Sequence, residues 1–188
     1  MKNLIKKNID DHLNILSESS DYLIDKINNI SLILLECINA GNKILLFGNG
    51  GSAADAQHIS AELTGRFVKE RRALAAIALT TDTSALTAIG NDYGFDKIFQ
   101  RQVEALAAKG DVLIGISTSG NSINVIKAME AGKSKNCINI SLTGNTGGKI
   151  LELSDYNINI NSNITARIQE MHILIGHLLC NCIDESLI

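Results

Sequence analysis

The sequence predicts an α/β fold, a doubly wound parallel sheet preceded by a long helical segment. Three observations carry this. Five short apolar runs, at 44–47, 73–79, 111–116, 137–142 and 156–160, have the length and character of strands buried on both faces. Stretches of helical periodicity separate them, which makes the strands parallel with right-handed crossovers. The Gly- and Ser-rich turns fall directly after strands, at the edge where open α/β sheets bind ligands. At 188 residues the chain is long enough for one domain with a substantial core, spanning 1–188. Residues 1–40 form its N-terminal helices and 43–188 its α/β core.

Residues 3–40 carry apolar side chains at three- and four-residue steps, from Leu4 and Ile5 to Cys37 and Ile38. The polar stretch Ser17–Asp21 is expected to divide them into two helices, with Ser20 or Asp21 capping the second, and Ala40-Gly41-Asn42 supplies the stop. An amphipathic N-terminal helix of this kind suits packing against a neighbouring subunit. The run Ile44–Phe47 leads into Gly48-Asn49-Gly50-Gly51-Ser52 and an Ala-rich helix bearing Asp55, His58 and Glu62, with Ser52 expected as its N-cap. The strand Ala73–Leu79 ends in a polar cluster, Thr80–Ser84, followed by a short helix, the stretch Gly90–Gly94 and a helix at Ile98–Ala108. Strand Asp111–Ile116 runs into Ser117-Thr118-Ser119-Gly120-Asn121-Ser122 and a helix to about Gly132. Strand Cys137–Leu142, a Gly-rich loop at 143–148, a short helix, strand Tyr156–Ile160 and a helix over Ile164–Ser186 complete the chain.

Composition excludes several functions. A net charge of −3 and the absence of Trp speak against a nucleic-acid surface, and the basic cluster Lys69-Glu70-Arg71-Arg72 reads as a solvated face or subunit contact. The N-terminus lacks the apolar core of a signal peptide, and no apolar run has the length of a membrane span. The four cysteines include no C-x-x-C pair and read as reduced, mostly buried thiols of a cytoplasmic protein.

The two Gly/Ser loops point to an anionic ligand. A glycine turn at a helix start presents free N–H groups and the positive end of the helix dipole. The hydroxyls of Ser117, Thr118, Ser119 and Ser122 could satisfy further phosphate oxygens without a fixed positive charge. The first loop matches neither dinucleotide nor Walker glycine spacing, so the ligand is a phosphorylated small molecule rather than an ordinary nucleotide. His58 and Glu62 share a helix face. The last helix adds Gln169, Glu170, His172 and His177 in an otherwise apolar segment; by itself His177 reads as a core histidine bonded to a carbonyl.

Four segments, GNGGSAADAQH…AELTGR (48–66), TDTSALTAIGNDYGF (81–95), DVLIGISTSGNS (111–122) and ARIQEMHILIGH (166–177), resemble the phosphoheptose isomerases. These are the sedoheptulose 7-phosphate isomerases of bacterial heptose biosynthesis, within the sugar isomerase (SIS) family. The resemblance covers nearly the whole chain after residue 40. It implies a SIS domain with a flavodoxin-like five-stranded sheet, and a homotetramer with active sites between subunits. It also implies conversion of sedoheptulose 7-phosphate to D-glycero-D-manno-heptose 7-phosphate through an enediol. Carried over by motif, substrate contacts fall on Asn49, Gly50, Gly51, Ser52, Asn91, Asp92, Ser117, Thr118, Ser119, Ser122 and Gln169. Zinc ligands fall on His58, Glu62, Gln169 and His177, and the catalytic pair on Glu62 as base and His177 as acid. Ahead of Arg167 the segment 161–166 lacks the acidic residue that some relatives carry. Related SIS proteins bind phosphosugars without turnover or associate with the bacterial replication initiator, and such a non-catalytic role is the alternative.

Overall fold

The computed structural model describes residues 1–187. Its centre is a five-stranded, all-parallel sheet built from β1 (Ile44–Gly48), β2 (Ala76–Ala78), β3 (Val112–Ser117), β4 (Ile138–Gly144) and β5 (Tyr156–Ile160), in the order β2-β1-β3-β4-β5. The helices are α1 (Lys2–Asn39), α2 (Gly51–Thr64), α3 (Thr83–Tyr93), α4 (Gln100–Leu106), α5 (Ile123–Ser134) and α6 (Thr165–Ser186). The five-stranded doubly wound architecture is as the sequence implies.

Alternation along β1 and β3 explains the two layers. Ile44, Leu46, Val112, Ile114 and Ile116 face the layer of α1, α2 and α6. Leu45, Phe47 and Leu113 face Val103, Val125 and Met129 of α4 and α5. Every residue of β1 and β3 is buried, as expected of strands covered on both sides. Toward β5 the second face turns polar: Asn157 donates to Ser141 Oγ (2.8 Å) and Thr143 Oγ1 (2.9 Å), and Thr143 to Asn159 (2.9 Å). At the opposite edge from the loops, buried Asp111 joins the N-terminal ends of two strands. It accepts from the Lys43 and Ala108 N–H groups (3.0 and 2.7 Å) and pairs with Lys43 Nζ (2.6 Å).

Several boundaries differ from expectation. The N-terminal segment is one helix, unbroken at 17–21. Ser19 and Ser20 return their hydroxyls to the carbonyls of Ile15 (2.5 Å) and Ser17 (3.3 Å) instead of capping a new helix. Leu23, Ile27, Ile30 and Leu34 are buried in the same layer as α6, and this packing outweighs the weak propensity of the polar stretch. The helix ends at Asn39, with Gly41 at φ 79°, as the sequence requires. β2 shrinks to three residues, and α3, capped by Asp82 (Ala85 N–H, 2.9 Å), extends through Asn91 and Asp92.

α2 and α6 pack closely. A Cβ on Gly176 would lie 2.5 Å from Ile59 Cδ1, so any larger residue there must push the Ile59 side chain aside. One turn earlier in α6, His172 is fully buried and bonds Thr143 O through Nε2 (3.0 Å), the carbonyl-bonded role considered for His177. Burial lowers its pKa from 6.5 to about 4, with the carbonyl contact opposing. The unfolded chain therefore takes up a proton that the folded chain refuses as pH falls below 6.5. Stability is expected to fall by up to about 3 kcal/mol between pH 6.5 and 4 from this residue. Denaturation of a His172→Gln variant across that range should show a flatter pH dependence than the parent. Gly176→Ala is expected to cost about 1–3 kcal/mol by overpacking, read as a lower denaturation midpoint with the slope unchanged.

Candidate active site

β1 and β3 are hydrogen-bonded neighbours, and the strand order reverses between them, so the loops that follow them flank the crevice where ligands of such sheets bind. In the first loop α2 starts at Gly51 with Gly50 (φ 55°) as N-cap. Ser52 is not the cap: it is buried within the first turn, its N–H bonded to Asn49 O (3.0 Å), because Gly50 reaches a positive φ and closes the turn earlier. The Asn49 and Asn124 side chains form a closed amide pair between the first loop and the first turn of α5 (2.9 and 2.8 Å). In the second loop Ser117 and Ser122 hydroxyls share a hydrogen bond (3.0 Å), and Ser119 Oγ accepts from Asn121 N–H (3.2 Å). Thr118 is half-buried beside them. Gly120 is obligatory, since it has φ 65° and a Cβ there would sit 1.8 Å from Gly147 O, where the loop at 143–148 braces it. Asn91 and Asp92 bond each other (2.8 Å) at the exposed end of α3, a helix that buries no residue completely.

α2 and α6 bring three side chains together. His58 Nε2 lies 3.1 Å from Glu62 Oε1 and 3.5 Å from His177 Nε2; His177 Nε2 lies 3.9 Å from Glu62 Oε1. The two imidazoles meet edge to face at 5.0 Å. Two ring nitrogens and a carboxylate oxygen that converge in this way leave lone pairs facing one another unless a cation or proton stands among them. Tetrahedral zinc with bonds of 2.0–2.1 Å separates its ligands by about 3.3 Å, within the span of these distances. Glu62 Oε2 is buried without a hydrogen-bond partner, as befits a carboxylate completed by a cation. The donor set fits a metal ion. Gln169 sits elsewhere: its amide lies over Gly51, where a Cβ would come within 2.5 Å of Nε2, two helical turns from His177.

Four further residues shape this cluster. Asp55, one turn before His58, is pushed up to about 6 by burial, against the pull of His58 and His177, and its Oδ2 has no partner. Cys180 lies against Glu62; burial and then the Glu62 carboxylate push its thiol up to about 12. Phe67 stacks on His177 at 5.7 Å. Arg71 is not a solvated-face residue as its basic cluster suggests, for its side chain is buried against Asp184 (2.7 Å). Asp55 was available from its i, i+3, i+7 spacing with His58 and Glu62. Asn124, Phe67 and Arg71 meet partners 75, 110 and 113 positions away, and no local pattern announces them.

Comparison with known proteins agrees with this fold. A profile of the SIS domain matches residues 8–144. The phosphoheptose isomerase of Aliarcobacter butzleri is 57% identical over 187 residues, covering 100% of this chain and 99% of its own. Phosphoheptose isomerase 1 of Campylobacter jejuni is 56% identical, covering 99% and 100%. Solved phosphoheptose isomerases from Neisseria gonorrhoeae (48% identity, TM-score 0.93, covering 98% and 99%) and Francisella tularensis (37%, 0.95, covering 98% of each) share the fold. With the SIS profile, the full-length relatives and the sheet order in agreement, the chain belongs to the phosphoheptose isomerase family of SIS-domain proteins.

Proposed function

We propose that this chain isomerises sedoheptulose 7-phosphate to D-glycero-D-manno-heptose 7-phosphate, the first step toward ADP-heptose for lipopolysaccharide core or other surface polysaccharide. The observation that carries the reading is the approach of Glu62 to His177, 3.9 Å apart on two different helices. It is joined by the full-length similarity to proteins of that name. The comparisons do not favour the non-catalytic alternative.

The phosphate is gripped by the N–H groups of Gly50 and Gly51, ahead of Ser52 in the first turn of α2, and by the hydroxyls of Ser117, Thr118, Ser119 and Ser122, with Asn49 held in place by Asn124. His58 lies seven residues beyond Gly51, about 10 Å along α2, a span suited to an extended seven-carbon sugar. Gln169, lying over Gly51, contacts the chain between its ends, and Asn91 and Asp92 contribute from the end of α3. At the reacting end Glu62 removes a proton from C1 and returns it to C2. His177 donates to the ketose oxygen on C2 and takes the proton from the C1 hydroxyl, so the enediol collapses to the aldose with no net proton change. Positioned acid–base groups of this kind contribute about 10²–10⁴-fold. His58, Glu62 and His177 would hold zinc, which would supply Lewis-acid polarisation of the carbonyl.

The chain acts as a homotetramer. An unpartnered apolar stripe along α1, with Leu4, Ile5, Ile9 and Leu13 each more than half exposed, supports this assembly. Its location is the cytoplasm, in keeping with four free cysteines and with the absence, among the described residues, of any helix long and apolar enough to cross a membrane.

Glu62→Gln and His177→Gln are each expected to lower kcat for sedoheptulose 7-phosphate by 10² or more, with KM changing far less. Full turnover by either variant removes that residue from its role. Chelation of the purified enzyme should abolish turnover and zinc should restore it.

A further inference from the structure

The cluster stands close to a helix end: Glu62 is two residues from the last residue of α2, where carbonyls lose their intrahelical partners and the helix would otherwise fray. Arg71 closes that end. Its guanidinium donates to the carbonyls of Glu62 (2.8 Å), Leu63 (2.9 Å) and Gly65 (3.1 Å). The same group pairs with Asp184 of α6, and both side chains are buried, at 2% and 0% exposure. Asp184 also accepts the N–H groups of Val68 (2.8 Å) and Lys69 (3.0 Å), which fastens the segment between α2 and β2 to α6. That segment carries Phe67, whose ring stacks on His177. His177 itself lies seven residues before Asp184, two turns along the same face of α6.

We propose that the Arg71–Asp184 pair is a positioning device, setting the separation between Glu62 on α2 and His177 on α6 and so the metal affinity of the cluster they form with His58. The inference rests on the metal-dependent reading above. A buried ion pair is not an efficient source of stability, since well-packed apolar residues of similar volume often replace one without loss. Such residues cannot reproduce six directed hydrogen bonds that bind one helix end, one loop and a second helix into a fixed arrangement. Both ligand-bearing helices are held by this pair: Glu62 through its own carbonyl, His177 through the α6 backbone and through Phe67. Residues outside the ligand shell that orient a metal site change its affinity by about 10–100-fold when removed.

The test uses the purified full-length protein, zinc ion as the probe, and competition with a chromophoric chelator. Arg71→Lys, Asp184→Asn and the apolar pair Arg71→Met/Asp184→Leu are compared with the parent and with Asp111→Asn, which breaks the Lys43–Asp111 ion pair at the far edge of the sheet. The double variant, which strips partners from five backbone groups, is expected to melt lower, as Asp111→Asn does, but unlike that control to bind zinc at least 10-fold more weakly and to lose kcat while KM moves less than about threefold. Arg71→Lys, which keeps the charge but not the fork of donors, should weaken zinc binding too. Asp111→Asn should lower the melting temperature and leave zinc affinity and kcat unchanged. Zinc affinity and kcat within twofold of the parent in the folded double variant, or in either single variant should the double not fold, would overturn the proposal alone. A parent protein that binds no zinc would overturn the metal reading and this inference with it.

Discussion

The close approach of α2 to α6 is the constraint on which the chemistry depends. Gly176 admits Ile59 into the helix interface, and the residues that follow them or precede them, His177 and His58, are thereby brought ring against ring. A side chain at 176 would press on Ile59 at the very level where three donor atoms converge. The packing is apolar, but its product is polar: two imidazoles and a carboxylate from elements 119 positions apart. Close-packed interiors transmit such displacements rather than absorb them, so spacing in the core becomes spacing in the site.

The sheet supplies the other half of the arrangement. Because β1 and β3 are parallel neighbours, their following loops open on one edge. Both loops offer N–H groups and hydroxyls, braced by the Asn49–Asn124 pair and by the loop behind Gly120. Such a site is suited to an anion by its directed dipoles, without a fixed positive charge. On the helices Asp55 and Glu62 stand with two histidines, and burial drives the Asp55 carboxyl up to about 6 against the pull of those histidines.

Much of this was readable in the residues themselves. The Gly- and Ser-rich turns, the helix that carries His58 and Glu62 on one face, and the strand–helix alternation follow from neighbours within a few positions. The failures are equally specific. Ser17–Asp21 reads as a break, but α6 and the sheet bury the flanking leucines and isoleucines and carry the helix through. Arg71 reads as one charge among several on a surface, but Asp184, far along the chain, draws it inside. Gln169 stands by motif with the metal ligands, whereas its amide packs on Gly51.

His172 and His177 show the division most plainly. The sequence alone determined that α6 is a helix with histidines among apolar residues, because periodicity and propensity are local. It determined too which turns could receive a phosphate, since glycine geometry and hydroxyl chemistry belong to the residues themselves. Which histidine is buried against a carbonyl and which turns toward a carboxylate was decided only by the tertiary structure. The environment of a helix face is made by elements distant in the chain, and no local pattern encodes them.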